Sequence, residues 1–243
     1  MSDTTTRITP TPMFSDLSAD LDIAIVGSGP AGLSAAARAQ QLGCKYALFE
    51  SEKHASDTIY KYQKGKHVMA EPGFLPLRSG MSFEAGKRES ILGTWDSQLL
   101  NQKINIQYKK TVSKISKLND GAGPFELTCE DGTTTTARTV ILGIGLQGNI
   151  RKIGTAGDDL PNVQYTLADP DEFNNETIIV IGAGDAAIEN ALALMKNNKV
   201  VLINRKDEFA RCKEGNLNQI LAADRNEDLR IFYNTSTSAV EEI

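Results

Sequence analysis

Apolar positions along the chain come in short unbroken runs, each followed by a stretch with helical spacing, and this alternation predicts strands feeding helices. The first such unit runs from Ile23-Ala24-Ile25-Val26 through a glycine-rich turn into the alanine-rich stretch Leu33 to Leu42, then a second apolar run, Tyr46 to Phe49. The same order recurs later, with Ile178 to Ile181, a second glycine-rich turn, Ile188 to Met195 and Val200 to Ile203. Between them Ile91, Leu92, Trp95 and Leu99 recur at helical spacing within Lys87 to Leu100, which predicts a core-facing helix. Short strand-like pieces follow at Ile104 to Tyr108, Thr111 to Leu118, Phe125 to Cys129 and Thr133 to Thr136. Asn119 to Pro124 and Asp131-Gly132 punctuate them as turns, predicting an antiparallel meander. Val140-Ile141-Leu142 then reads as a buried strand that breaks into Gly143-Ile144-Gly145.

The predicted fold class is therefore α/β, with two Rossmann-type dinucleotide-binding domains, the first carrying an inserted antiparallel β-meander. The expected organisation is an N-terminal extension over 1–20, a first domain over 21–150, a crossover linker over 151–176 and a second, incomplete domain over 177–243.

The two turns are dinucleotide fingerprints, and they differ. The first is Gly27-Ser28-Gly29-Pro30-Ala31-Gly32 and the second is Gly182-Ala183-Gly184-Asp185-Ala186-Ala187, 155 residues later. In such a turn the first glycine allows a tight strand-to-helix reversal and the second lets backbone N–H groups approach a pyrophosphate. The third small residue lets helix and strand pack closely. The helix N-terminus then faces phosphate charge with unpaired N–H groups. Twenty-three residues beyond the first glycine stands Glu50, a carboxylate suited to the two hydroxyls of an adenosine ribose. At the same count in the second unit stands Arg205, within Asn204-Arg205-Lys206 and followed by Arg211. A guanidinium suits a ribose bearing a 2′-phosphate. The expected cofactors are FAD in the first domain and NADP in the second.

Composition narrows the function classes. A net charge of −5, with no basic stripe interleaved with aromatics, speaks against nucleic acid as the main partner. No apolar run approaches the length of a membrane span, and the threonine-rich first 20 residues, with Pro10 and Pro12, lack the apolar region of a signal peptide. Cys44, Cys129 and Cys212 are far apart, form no CxxC, and suit a reducing cytoplasm. His54 and His67 are the only histidines and lie in no metal-ligand pattern, so no metal site is expected. No catalytic residue stands out.

With both fingerprints in view, the chain resembles the pyridine nucleotide–disulfide oxidoreductase superfamily, nearest the thioredoxin reductase-like and bacillithiol-disulfide reductase-like branch. Gly143-Ile144-Gly145 resembles that superfamily's Ala-Thr-Gly crossover turn, which puts Gly145 at the cofactor. Thr58 to Tyr62 with Phe83 and Arg88 is similar to bacillithiol-reductase-type sequences, and Asn204-Arg205-Lys206-Asp207 is similar to the 2′-phosphate grip of thioredoxin reductases. The resemblance also implies that backbone near Val112 meets the adenine. It implies an FAD-dependent enzyme in which NADPH passes a hydride to flavin and electrons leave to a ferredoxin-type or iron–sulfur partner, or to a disulfide.

The departures bear on the acceptor. Thioredoxin reductases carry a CxxC shortly before the second fingerprint, where this chain reads Asn162 to Pro170 without cysteine. Glu52 to Met69 holds none either, and Ala31 stands where bacillithiol-type enzymes often place one. Electrons are therefore expected to reach an external acceptor without an internal disulfide. The family's C-terminal return to the flavin is not found before Ile243, so a piece of a longer reductase is expected. A flavin-dependent monooxygenase is the alternative enzyme, though Thr155 to Tyr165 lacks its usual motif, and a non-catalytic nucleotide-binding module is the third reading. Oligomeric state, with a homodimer among the options, stays open.

Overall fold

The computed structural model describes residues 18–70, 78–146 and 151–242, so 1–17 of the expected N-terminal extension, with both its prolines, lie outside the described residues, as does Ile243. The chain divides into two compact units, Met1–Tyr60 with His67–Gly148, and Lys61–Lys66 with Asn149–Ile243.

The first unit is built on a six-stranded sheet. Strand β1 (Leu21–Val26) leads into α1 (Pro30–Gln41) and β2 (Tyr46–Phe49). A short α2 (Asp57–Tyr60), the two-residue strands β3 (His67–Val68) and β4 (Gly86–Lys87), and α3 (Arg88–Asn101) precede β5 (Ile106–Gln107). Then come β6 (Val112–Lys117), β7 (Phe125–Cys129) and β8 (Thr134–Leu142), and the sheet runs β5-β2-β1-β8-β7-β6. The first four strands in that order are parallel, and β8, β7 and β6 pair antiparallel.

Helix α1 forms because alanine and leucine favour helix and Pro30, at its start, needs no N–H partner. It buries Gly32, Leu33, Ala36, Ala37 and Ala39, small residues that let it lie close to a sheet. Helix α3 buries Ile91, Trp95 and Leu99 as its spacing predicts.

One strand replaces two that the pattern separated. Thr133 to Thr136 and Val140 to Leu142 belong to a single nine-residue β8. The join is Ala137, fully buried, which pairs with Leu21 on one side and Phe125 on the other. A small side chain with strands on both edges lets β8 pass from its antiparallel partner to its parallel one without a break. Its far end also differs from expectation, because Leu142 is exposed rather than buried.

The second unit holds a three-stranded parallel sheet in the order β11-β10-β9. It is made from β9 (Thr177–Ile181), α4 (Asp185–Leu194), β10 (Lys199–Ile203), α5 (Glu214–Arg225) and β11 (Arg230–Phe232). Ile188, Ala191 and Leu194 of α4 and Ile220 and Ala223 of α5 bury Val200 and Leu202 on one sheet face. The other face presents the rows Ile179–Val201 and Ile181–Ile203–Phe232, and Ile179, Ile181 and Phe232 are exposed. The loop Lys61–Lys66 also belongs to this unit. Lys64 donates from its backbone to the Ala168 carbonyl at 2.8 Å and pairs through Nζ with Asp169 at 2.7 Å, and Lys66 pairs with Glu189 at 2.9 Å. Among the described residues no helix is long and apolar enough to cross a membrane.

Candidate functional site: two dinucleotide turns

In the first unit, the turn after β1 packs backbone against backbone. Gly27 has φ +93°, and a Cβ on it would stand 2.6 Å from the Gly143 carbonyl oxygen. A Cβ on Gly32 would stand 1.8 Å from the Gly27 carbonyl oxygen, so no other residue fits there. Gly143 donates to the Val26 carbonyl at 2.7 Å, and a Cβ on it would lie 3.1 Å from the Gly32 nitrogen. Gly145, the glycine of this loop that the family resemblance puts at the cofactor, sits at φ +64° in open space. The residue that lines the turn is Gly143, and its place at the end of a strand parallel to β1 was the signal available. Helix α1 starts after Gly29 with no side-chain cap and no acidic residue in its first turn. Its N-terminus thus fits a pyrophosphate.

Glu50 follows directly on β2 and is buried. Its Oε2 accepts from the Ser28 backbone N–H at 2.8 Å and from the Ser28 hydroxyl, and its Oε1 accepts from the Glu52 N–H at 2.9 Å and the Ser51 hydroxyl at 3.1 Å. Burial alone would push its pKa up, but these four donors outweigh it and hold the carboxyl below its ordinary value. The Lys110 backbone N–H donates to the Glu50 carbonyl at 2.8 Å, so Val112 follows two residues after a direct backbone contact with Glu50.

In the second unit, Gly182 has φ +142° and a Cβ on it would come within 3.1 Å of the Ala187 side chain, so the opening position has little room for a side chain. Ala183 and Ala186 complete the turn, and Gly184 precedes α4 with no side-chain cap. Asp185, although in the fingerprint, is turned to the N-terminus of α5. Its Oδ1 accepts from the Lys213 N–H and from Asn216 Nδ2, both at 2.8 Å. The Lys213 bond is the main cause of its lowered pKa.

Register revises the residue count. Gly27 donates to the carbonyl of Phe49, and Gly182 donates to that of Ile203. Glu50 therefore corresponds to Asn204, not to Arg205, because the second unit is one residue shorter between turn and strand end. Asn204 is buried, and its amide is used within the loop, donating to the Glu208 carbonyl and accepting from the Lys206 N–H. Arg205, Lys206 and Arg211 are exposed. The second unit thus has a neutral amide where the first has a carboxylate, with two cationic side chains immediately after it.

The description "Pyridine nucleotide-disulphide oxidoreductase" matches residues 24–242, nearly the whole chain. The chain belongs to this family. Among curated oxidoreductases of this kind, it is 28% identical over 189 residues to a ferredoxin–NADP reductase of Ignicoccus hospitalis, covering 77% of this chain and 57% of that one. It is 31% identical over 202 residues to a thioredoxin reductase of Helicobacter pylori, covering 79% and 58%. The chain spans little more than half the length of the curated relatives it matches. The structure of a bacillithiol disulfide reductase from Staphylococcus aureus superposes with a TM-score of 0.78 at 20% identity, covering 91% of this chain and 68% of that one. A thioredoxin reductase from Lactococcus lactis gives 0.69 at 21%, covering 92% and 67%. Both likenesses are of fold.

The other residues behind the family resemblance have local jobs. Arg88 donates to the carbonyls of Ile59 and Tyr60, closing the end of α2, and lies over the Tyr60 ring. His54 stacks on the Tyr60 ring, with centroids 3.8 Å apart, and bonds Asp57 at 2.9 Å. Phe83 packs on Trp95, and His67 is exposed at the start of β3. Cys44, Cys129 and Cys212 are free thiols.

Proposed function

We propose that this chain is the two-nucleotide portion of an FAD-dependent NADPH oxidoreductase that delivers electrons to an external acceptor. The observation that carries this reading is the contrast between Glu50 and the Asn204-Arg205-Lys206 run on equivalent strand ends. In the first unit Gly27, Ser28, Gly29, Pro30, Ala31 and Gly32 form the pyrophosphate turn for FAD, Glu50 takes the adenosine ribose, and Val112 lies at the adenine end. In the second unit Gly182, Ala183, Gly184, Ala186 and Ala187 form the corresponding turn for NADPH. Arg205 and Lys206, with Arg211, supply positive charge for a 2′-phosphate, a role that requires the absence of a carboxylate at position 204. When bound, FAD supplies the capacity to take two electrons from a reduced nicotinamide and release them to another acceptor.

Neither glycine turn has a cysteine pair beside it in the sequence, which favours a ferredoxin-type iron–sulfur protein over a disulfide relay. The ferredoxin–NADP reductase names among its relatives support the same choice. Free thiols and the composition favour a cytoplasmic setting. The test is FAD and NADPH binding by this chain, followed by NADPH-driven reduction of a ferredoxin by the complete gene product. An NADH preference, or no flavin binding to either, would overturn the reading.

A further inference from the structure

Glu50 carries more hydrogen bonds than a carboxylate waiting for a ligand needs. A carboxylate has about four lone-pair positions, and all four are filled. Two of the donors are backbone N–H groups, from Ser28 and Glu52, fixed by the fold. The other two are hydroxyls, from Ser28 and Ser51, which can rotate away.

These hydroxyls differ in their surroundings. Ser51 is exposed, so water replaces whatever bond it gives up. Ser28 is fully buried in the fingerprint turn, and its carbonyl is pinned by the Ser56 N–H at 3.0 Å. Ser56 is itself buried and held at φ +58°, an unusual conformation for a residue with a side chain, and it immediately precedes α2. The Ser28 backbone therefore stays put while its hydroxyl chooses a partner.

We propose that the Ser28 hydroxyl is a stand-in for an adenosine ribose hydroxyl, satisfying Glu50 in the free protein and displaced from it by the dinucleotide. This deepens the proposed function of the first unit and rests on it. A donor that stabilises only the empty state opposes binding. Once displaced, the buried hydroxyl must find another acceptor or remain unpaired, and that adds to its cost. Ser28 thus sets affinity from the unliganded side and keeps a buried carboxylate paired when no nucleotide is present. It is a positioning residue, and Glu50 remains the group that touches the ribose.

The test is fluorescence titration of the 243-residue chain and its Ser28→Ala variant with two probes, FAD and an FAD analogue whose adenosine is 2′,3′-dideoxy. Ser28→Ala should bind FAD more tightly, by roughly tenfold, equivalent to about 1.4 kcal/mol. The dideoxy analogue, which cannot take the hydroxyl's place, should show no such gain. The free variant should unfold at lower temperature than the parent, and saturating FAD should narrow that gap. Weaker or unchanged FAD affinity in Ser28→Ala, or an equal gain with the dideoxy analogue, would overturn the proposal while leaving the FAD assignment intact. Failure of the parent chain to bind either probe would overturn both. If Ser28→Ala does not fold, Ser51→Ala is the second variant, since it removes the exposed hydroxyl from the same carboxylate. It should give a smaller gain with FAD and none with the dideoxy analogue, and a loss of FAD affinity would count against the stand-in.

Discussion

Glu50 and Asn204 occupy the same register position in the two units, each one residue past the strand carbonyl that receives the N–H of its opening glycine. One is a carboxylate held by four donors, and the other is an amide consumed within its own loop. Under the proposed NADPH assignment a carboxylate at position 204 would repel a 2′-phosphate, whereas the neutral Asn204 sets no opposing charge beside Arg205 and Lys206.

The first prediction concerns that charge. Arg205→Glu should weaken NADPH binding by on the order of thirty- to hundredfold, the loss of about 2–3 kcal/mol expected for a charge-assisted contact, while NADH affinity is spared. Calorimetric titration of both nucleotides checks this, and equal affinities in the parent chain would remove the premise.

A second prediction sets two glycines against each other. Gly32→Ala drives a methyl into the Gly27 carbonyl and should cost at least ~3 kcal/mol, the upper range for overpacking, or prevent the first unit from folding. Gly93→Ala lies on the exposed side of α3 with open space around it, and should stabilise by ~0.5–1 kcal/mol. Urea unfolding followed by Trp95, the only tryptophan and a buried residue of the first unit, reads both effects.

The third uses acid. The folded pKa of Glu50 is depressed, so its contribution to stability is fully present above the ordinary glutamate range. It is lost as pH falls through the depressed value. Glu50→Gln should be less stable at neutral pH by about 1–3 kcal/mol, because one of its amide ends faces donors rather than acceptors. The gap between variant and parent should close below the carboxylate range. Parallel stability curves from pH 7 to pH 3 would show that Glu50 is not the group responsible.

The fourth concerns Asp185. If it serves as the anchor for α5, Asp185→Ala should destabilise the second unit by ~1 kcal/mol, a typical loss for a helix N-terminal acceptor. Asp185→Asn keeps an acceptor for the Lys213 N–H and should retain most of that stability. Chemical denaturation followed by circular dichroism distinguishes them, and equal stability of all three proteins would count against the anchor.

The legibility of this chain followed the length of its signals. Both strand–turn–helix–strand units were readable because glycine spacing and apolar runs point to the same geometry at each step. Register was not readable. A count of 23 residues matched Glu50 to Arg205, and only the hydrogen bonds of Gly27 and Gly182 show that Asn204 is the counterpart. The continuous β8 was hidden because its threonines read as a hairpin arm and its aliphatic end as a separate core strand. Apolar runs also say nothing of whether one sheet face or two are covered, so exposed Ile179 and Ile181 look the same in sequence as half-buried Val180 and Ile178 do. The pairing of Lys61–Lys66 with the second unit has no local signal, since it depends on Lys64 and Lys66 meeting acids far along the chain.

Strand β8 has a consequence for how the protein is made. It is inserted between β1 and β7, its pairing with the first strand begins at Leu21 and Ala137, and the adjoining Asp20–Thr136 bonds span 116 residues. During synthesis, β1 and β2 leave the ribosome long before the strand that closes their open edge. Contacts this distant in sequence form late and carry a large loop-closure cost. Over that interval the backbone N–H and C=O groups of the β1 edge have no strand to pair with, and such an edge is a template for unwanted pairing.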